Sequence, residues 1–140
     1  MGRPERQHGP AQVPRLVQVR TARHDEGYVR IVFELESELP GYRVRYIEPP
    51  VRKCGSGDPT AIAGGARLEV QLSPANAHDQ NGAPTVRDRE RWPALGILRE
   101  LELTCDFEAE TVWVLGLDSQ KPYRVLELAD PPRIVVDVLE

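Results

Sequence analysis

Apolar and polar residues alternate with a period of two along most of this chain, and clusters of Gly, Pro and Asp separate the alternating stretches. That period puts successive side chains on opposite faces of an extended strand. Over 29–36, Val29, Ile31, Phe33 and Leu35 take one face, and Arg30, Val32, Glu34 and Glu36 take the other. A shorter strand over 16–20 precedes it, with a polar turn at 22–27 between them. Tyr42, Val44 and Tyr46 alternate with Arg43 and Arg45 over 42–48. Pro49-Pro50 ends that strand, because proline has no N–H to give to a ladder. Further strands are predicted over 67–73, 97–107, 112–117, 123–128 and 133–139. The stretch 112–117 is apolar on both faces, as a buried central strand is.

The spacing also repeats. Ile31 to Tyr42 is eleven positions, as is Val112 to Tyr123, and each copy closes on a Pro-Pro pair, Pro49-Pro50 or Pro131-Pro132. A unit of this size is too long for a solenoid repeat and implies two related halves of one domain. Two connections are long. Residues 51–66 are Gly-rich, and 74–96 lack periodicity, with room for a helix near Thr85–Leu95 that Pro93 limits. The expected fold is all-β, an antiparallel sandwich or open barrel of about eight strands with an internal pseudo-repeat and little helix. Residues 1–14 are expected to be a flexible polar tail and 15–140 a single domain.

The 40% hydrophobic and 29% charged residues fit a globular domain with an ordinary core. A net charge of −4 argues against a nucleic-acid binder. No apolar run reaches the length of a membrane span. The first ten residues carry no apolar stretch, so they are not read as a secretory leader; the protein is cytoplasmic, or a leader lies outside this sequence. Of the two cysteines, Cys105 falls on the apolar side of its alternating strand and is expected to be buried and inert. Cys54, in a Gly-rich loop, is expected to be free, with one disulfide between the two as the alternative. Neither has a CxxC neighbour, so zinc and redox chemistry are not expected.

The closing run, from Tyr123-Arg124-Val125-Leu126-Glu127 through Pro131-Pro132-Arg133-Ile134-Val135-Val136-Asp137, resembles the C-terminal signature of AMIN domains. Arg23-His24-Asp25-Glu26-Gly27-Tyr28, Pro40-Gly41-Tyr42-Arg43-Val44, Ala77-His78-Asp79 and Asp106-Phe107-Glu108 extend the likeness, specifically to the AMIN-like domain of actinobacterial secreted proteins and lipoproteins. The resemblance covers roughly 15–139. It implies a β-sandwich of two related sheets, an envelope or extracellular location, and a non-catalytic module that recognises cell wall. Cys105 and Ala109 stand where the family pattern has glycine.

No HExxH, HxH or GxSxG pattern occurs, so neither an enzyme nor a metal or cofactor site is expected. Adjacent residues on a strand point to opposite faces, so neither His24-Asp25 nor His78-Asp79 makes a simple chelating pair. Hydrogen-bonded loop anchors are the plain use of these histidines. Arg30, Arg43, Arg45, Arg124 and Arg133 lie on or beside strands, where a guanidinium fork suits the carboxylates of peptidoglycan. Their plain use is pairing with Glu34, Glu36, Glu127 and Asp137. Trp92 lies in the long loop, where an exposed indole can stack on a sugar. The candidate binding residues are therefore His24, Asp25, Arg30, His78, Asp79, Trp92, Arg124 and Arg133. The expected partner is a cell-wall glycan or an envelope protein, bound by a monomer or weak homodimer. The alternative function is a protein–protein or self-association scaffold without glycan binding.

Overall fold

The computed structural model describes residues 13–140 and the short strand Glu5–Arg6. In chain order the strands are β1 (Glu5–Arg6), β2 (Leu16–His24), β3 (Tyr28–Leu35), β4 (Gly41–Ile47), β5 (Val51–Arg52), β6 (Pro59–Thr60), β7 (Ala66–Ser73), β8 (Glu90–Arg91), β9 (Leu98–Phe107), β10 (Glu110–Leu117), β11 (Tyr123–Leu128) and β12 (Arg133–Leu139). They form a six-stranded sheet ordered β1-β4-β7-β10-β9-β8, a four-stranded sheet ordered β11-β12-β3-β2, and the small β5-β6 pair. Among the described residues every pairing between these strands is antiparallel, with one isolated parallel bridge, Arg15 to Asn76, and no sheet closes into a barrel. The expected tail falls mostly outside the described residues. Of its described parts, Glu5–Arg6 pairs with β4, and Pro14 is buried and accepts the Asn76 N–H at 3.0 Å.

One core joins the two large sheets. The four-stranded sheet contributes Val29, Ile31, Phe33, Leu35, Ile134, Val136 and Val138. The six-stranded sheet meets them with Val44, Leu68, Val70, Leu72, Leu101, Trp113, Leu115 and Leu117. Trp113 is fully buried, 6.2 Å from the Phe33 ring. These are the inward positions of each period-two pattern, which is why the alternation was a reliable guide to the strands.

The repeat has a structural meaning. In the first copy the chain crosses from β3 in the four-stranded sheet to β4 in the six-stranded one; in the second it crosses from β10 in the six-stranded sheet to β11 in the four-stranded one. The second strands of the two copies meet along one seam of the sandwich. There the Tyr42 hydroxyl donates to Glu127 at 2.9 Å, and the Tyr123 hydroxyl donates to the Val44 carbonyl at 2.8 Å. Tyr46 packs edge-on against Tyr123, and its hydroxyl accepts the Lys121 N–H at 2.9 Å.

The opposite seam is closed by the long loop. Residues 74–96 form no helix; they run as a strap along β2, with only β8 in regular pairing. The strap is held partly by its own turns, as where Arg89 donates to the Val86 carbonyl at 2.8 Å, and partly by its neighbours. Thr85 Oγ1 donates to Leu16 O at 2.6 Å, Arg91 donates to Val19 O at 2.6 Å, and Leu103 N–H donates to Arg89 O at 2.8 Å.

The second connection, 51–66, folds over the outer face of the six-stranded sheet. A methyl group at Gly116 would lie 2.0 Å from the Ala63 carbonyl oxygen, so only glycine admits this close approach. Cys54 and Cys105 are joined in a disulfide, with Cα atoms 5.1 Å apart, which corrects the expectation of a free Cys54 and an inert buried Cys105. The reason is a bulge in β9. Leu103 pairs with Trp113 and Cys105 pairs with Val112, leaving Thr104 as an extra residue. An extra residue reverses the alternation, so Cys105 turns outward beneath the loop. At the β9–β10 turn, Glu108 and Ala109 both take positive φ, 52° and 60°, as a tight hairpin requires, although neither is glycine.

Candidate binding face

The outer face of the four-stranded sheet is built from the residues that alternate with its core positions. Strand register stacks them in rows. Leu139, Tyr28 and His24 face one another at one end of the sheet. Next come Arg124, Asp137 and Arg30, each on a different strand; then Leu126, Val135, Val32 and Arg20; then Leu128, Arg133 and Glu34.

Asp137 is the centre of the charged row. Its side chain is completely buried, while those of Arg30 and Arg124 are 27% and 45% exposed. Arg30 grips it with a two-point fork, Nε to Oδ1 at 2.8 Å and a terminal nitrogen to Oδ2 at 2.9 Å. Arg124 adds an Nε bond to Oδ2 at 2.8 Å. Burial alone would raise the Asp137 pKa. The hydrogen bonds and charges of the two arginines outweigh it and hold the carboxyl below its ordinary range. Arg30 is raised in turn, chiefly by its bond to Asp137.

Two guanidiniums on one carboxylate leave a net positive charge at the surface. Arg124 spends only Nε on Asp137, and its terminal nitrogens make no other hydrogen bond among the described residues. The Tyr28 ring backs both cations, with the guanidinium carbons 5.5 Å (Arg30) and 5.0 Å (Arg124) from its centroid. His24 stacks on the same ring at 4.7 Å and 9°. The arrangement is a rigid cationic fork suited to an external carboxylate or similar planar anion.

Of the eight candidates, the structure brings His24, Arg30, Arg124 and Arg133 onto this one face, with Asp25 exposed in the turn beside His24. Arg133 sits two rows from the fork and donates to the Ala129 and Pro131 carbonyls, both at 3.1 Å. The other three lie on the strap. The His78 ring bonds Asp106 at 2.8 Å, and Arg89 bonds the other oxygen of the same carboxylate at 3.1 Å. Asp79 caps a turn by accepting the Asn81 and Ala83 N–H groups, and those two bonds, Ala83 foremost, lower its pKa. Trp92 is 61% exposed. Several expected ion pairs are replaced: Glu34 pairs with Arg20, Glu36 with Arg15 and Arg45 with Glu69, while Glu127 accepts a hydrogen bond from the Tyr42 hydroxyl. Sequence reasoning missed Tyr28 as the backing ring; it named Asp137 among the acidic partners of the arginines, but not that Arg30 and Arg124 share it. The signal was the 129–132 turn, whose hairpin register sets Arg124 opposite Asp137.

The chain belongs to the AMIN-like domain family, whose model matches residues 14–140. No curated protein and no solved structure matches it. AMIN-like domains are in general non-catalytic binding modules, and membership suggests association with the cell wall or envelope. Among the described residues no helix is long and apolar enough to cross a membrane.

Proposed function

We propose that this domain is a non-catalytic cell-envelope module that recognises peptidoglycan, or an anionic envelope glycan, through the outer face of its four-stranded sheet. The observation that carries the reading is the Arg30–Asp137–Arg124 fork. Asp137 fixes both guanidiniums before a ligand arrives, so little side-chain entropy is lost when a carboxylate of a peptide stem or lactyl group binds. Tyr28 already carries His24 and the two arginines, so it supports the fork and does not offer a bare stacking surface. Recognition is therefore of charge first and sugar second.

Co-sedimentation with insoluble sacculi, against a cellulose control and at two salt concentrations, tests this. Selective pelleting is expected, weakened at least about tenfold in Kd by Arg124→Ala and unchanged by Trp92→Ala. Loss in Trp92→Ala with retention in Arg124→Ala would move the surface to the strap. Absence of pelleting by the unaltered protein would sink the wall-binding reading. The alternative, self-association, draws on one feature: β11 is an edge strand of its sheet, with one side unpaired among the described residues. A sedimentation coefficient that rises with protein concentration would favour it.

A further inference from the structure

The outer face of the six-stranded sheet holds a second group of withdrawn carboxylates. Across the β8–β9 pair, Glu90 stands directly opposite Glu102. Glu100 lies on the same face of β9, two residues along. Glu100 and Glu102 are only 2% and 4% exposed. The 51–66 loop lies over them: the Ala63 N–H donates to Glu100 Oε1 at 2.8 Å, and the Thr60 hydroxyl donates to Glu102 at 2.9 Å. The Cys54–Cys105 disulfide fastens that loop to β9.

Like charges directly opposite across two strands repel, and a buried carboxylate without a cation costs far more than a buried apolar group. Yet none of the ion pairs among the described residues involves these three glutamates. Lys53 acts on Glu102 only at longer range. Glu100 Oε1 is held by Ala63, but no donor group among the described residues reaches the buried Oε2. Its charged neighbours are the Glu90 carboxylate, close enough to share a proton with it, and that of Glu102. One carboxylate oxygen from each glutamate lies within 4.8 Å of the others. A single ion with oxygen ligands at about 2.3–2.6 Å spans that separation.

We propose that Glu90, Glu100 and Glu102 bind one divalent cation of the calcium type, with Glu100 Oε2 supplying the orphan lone pairs. The all-oxygen, all-carboxylate donor set, without Cys or His, selects a hard cation over zinc or copper. An ion here neutralises the charge that β8 and β9 otherwise hold face to face, and it ties the strap to the sheet. In its absence, burial first and the neighbouring Glu90 next push Glu100 and Glu102 above the usual carboxylate range. The site is separate from the arginine face and does not depend on the wall-binding reading.

The test uses the full chain, stripped with EGTA and returned to metal-free buffer at neutral pH. CaCl2 is titrated calorimetrically, and Tm is followed across the same concentrations. One site per chain is expected, with Kd of about 0.1–1 mM, the range of extracellular calcium modules. Tm should climb with CaCl2 but not with NaCl of equal ionic strength. Glu100→Gln should weaken binding at least about tenfold; Glu102→Gln replaces it if that variant does not fold. No heat and no Tm change up to about 10 mM CaCl2 would overturn the proposal. So would wild-type affinity in both variants, or an equal Tm response to NaCl.

Discussion

Asp137 on the four-stranded sheet and Glu100 and Glu102 on the six-stranded sheet are all carboxylates withdrawn from water on an outer face, yet their surroundings are opposite. Asp137 has an arginine on each neighbouring strand and three charge-assisted hydrogen bonds. Glu100 and Glu102 have Glu90 beside them, one backbone N–H, one threonine hydroxyl, and a disulfide-tethered loop as cover. Their pKa values move in opposite directions accordingly, Asp137 down and the two glutamates up. Burial acts the same way in all three and raises the pKa; the sign of the neighbouring charge decides the outcome. A carboxylate backed by cations holds those cations ready for an outside anion. A carboxylate backed by carboxylates is open to an outside cation or a proton.

The largest expected effect comes from turning the first site into the second. The double variant Arg30→Ala/Arg124→Ala leaves Asp137 buried without a cation and should cost about 3–5 kcal/mol in urea unfolding at neutral pH. The pH dependence should also change sign. In the unaltered protein the Asp137 pKa lies below its ordinary 3.8, so the unfolded chain binds the proton more readily. Its contribution is present above pH 3.8 and fades as the pH falls toward the lowered folded value. In the double variant the burial that remains raises the folded pKa, so stability should fall as the pH rises through it. A double variant that keeps the original pH slope would show that the arginines do not set the Asp137 ionisation.

Removing the cover from the second site comes next in size. Cys54→Ser/Cys105→Ser opens a crosslink between residues 51 apart in sequence, worth about 2–4 kcal/mol by the entropy of the closed loop. Because the 51–66 loop shields Glu100 and Glu102, the variant should also let water reach them and lower their pKa values. The stability difference between mildly acidic and neutral pH should then shrink. Unchanged pH dependence alongside lower stability would mean that Thr60 and Ala63 hold the cover without the disulfide. A parallel change at Asp137 is not expected, since that residue lies on the other sheet.

The contrast also marks what was legible in the sequence. The strands were legible because Val29, Ile31, Phe33 and Leu35, or Leu68, Val70 and Leu72, reach the core at strict period two. The long strands of the structure fall at the eight expected places, although β2 continues to His24, paired through Ala22, Arg23 and His24 to β3. β9 was misread in parity because its bulges at Arg99 and Thr104 carry no turn residue to announce them. That single feature concealed both the outward turn of Cys105 and the disulfide. The arginines and Asp137 were legible as candidates for pairing, but not that Arg30 and Arg124 meet on that one carboxylate, because Arg30 and Asp137 are 107 residues apart in the chain. The glutamate group was hidden for a related reason. Glu90 lies in the aperiodic strap, and its position opposite Glu102 follows only from where the strap docks.

The smallest effect is the sharpest test of the contrast, because its sign opposes the usual result of altering a buried hydrogen-bonded group. Glu100 has a pKa raised above the ordinary glutamate value of 4.5, so the folded protein holds its proton more tightly than the unfolded chain does. Relative stability is then full below pH 4.5 and is lost as the pH rises through the raised value. Glu100→Gln keeps the size and a carbonyl oxygen for the Ala63 N–H while removing the charge. In EGTA it should therefore match the unaltered protein near pH 4.5 and exceed it at neutral pH by up to about 1 kcal/mol, the scale of a like-charge pair facing across two strands. The equivalent exchange at the other site, Asp137→Asn, should destabilise at neutral pH, because it removes the charge that both arginines share and turns one of the two accepting oxygens into a donor. Loss of stability in Glu100→Gln at neutral pH would show that the charge is already compensated in the metal-free chain. The two outer faces would then differ in geometry alone.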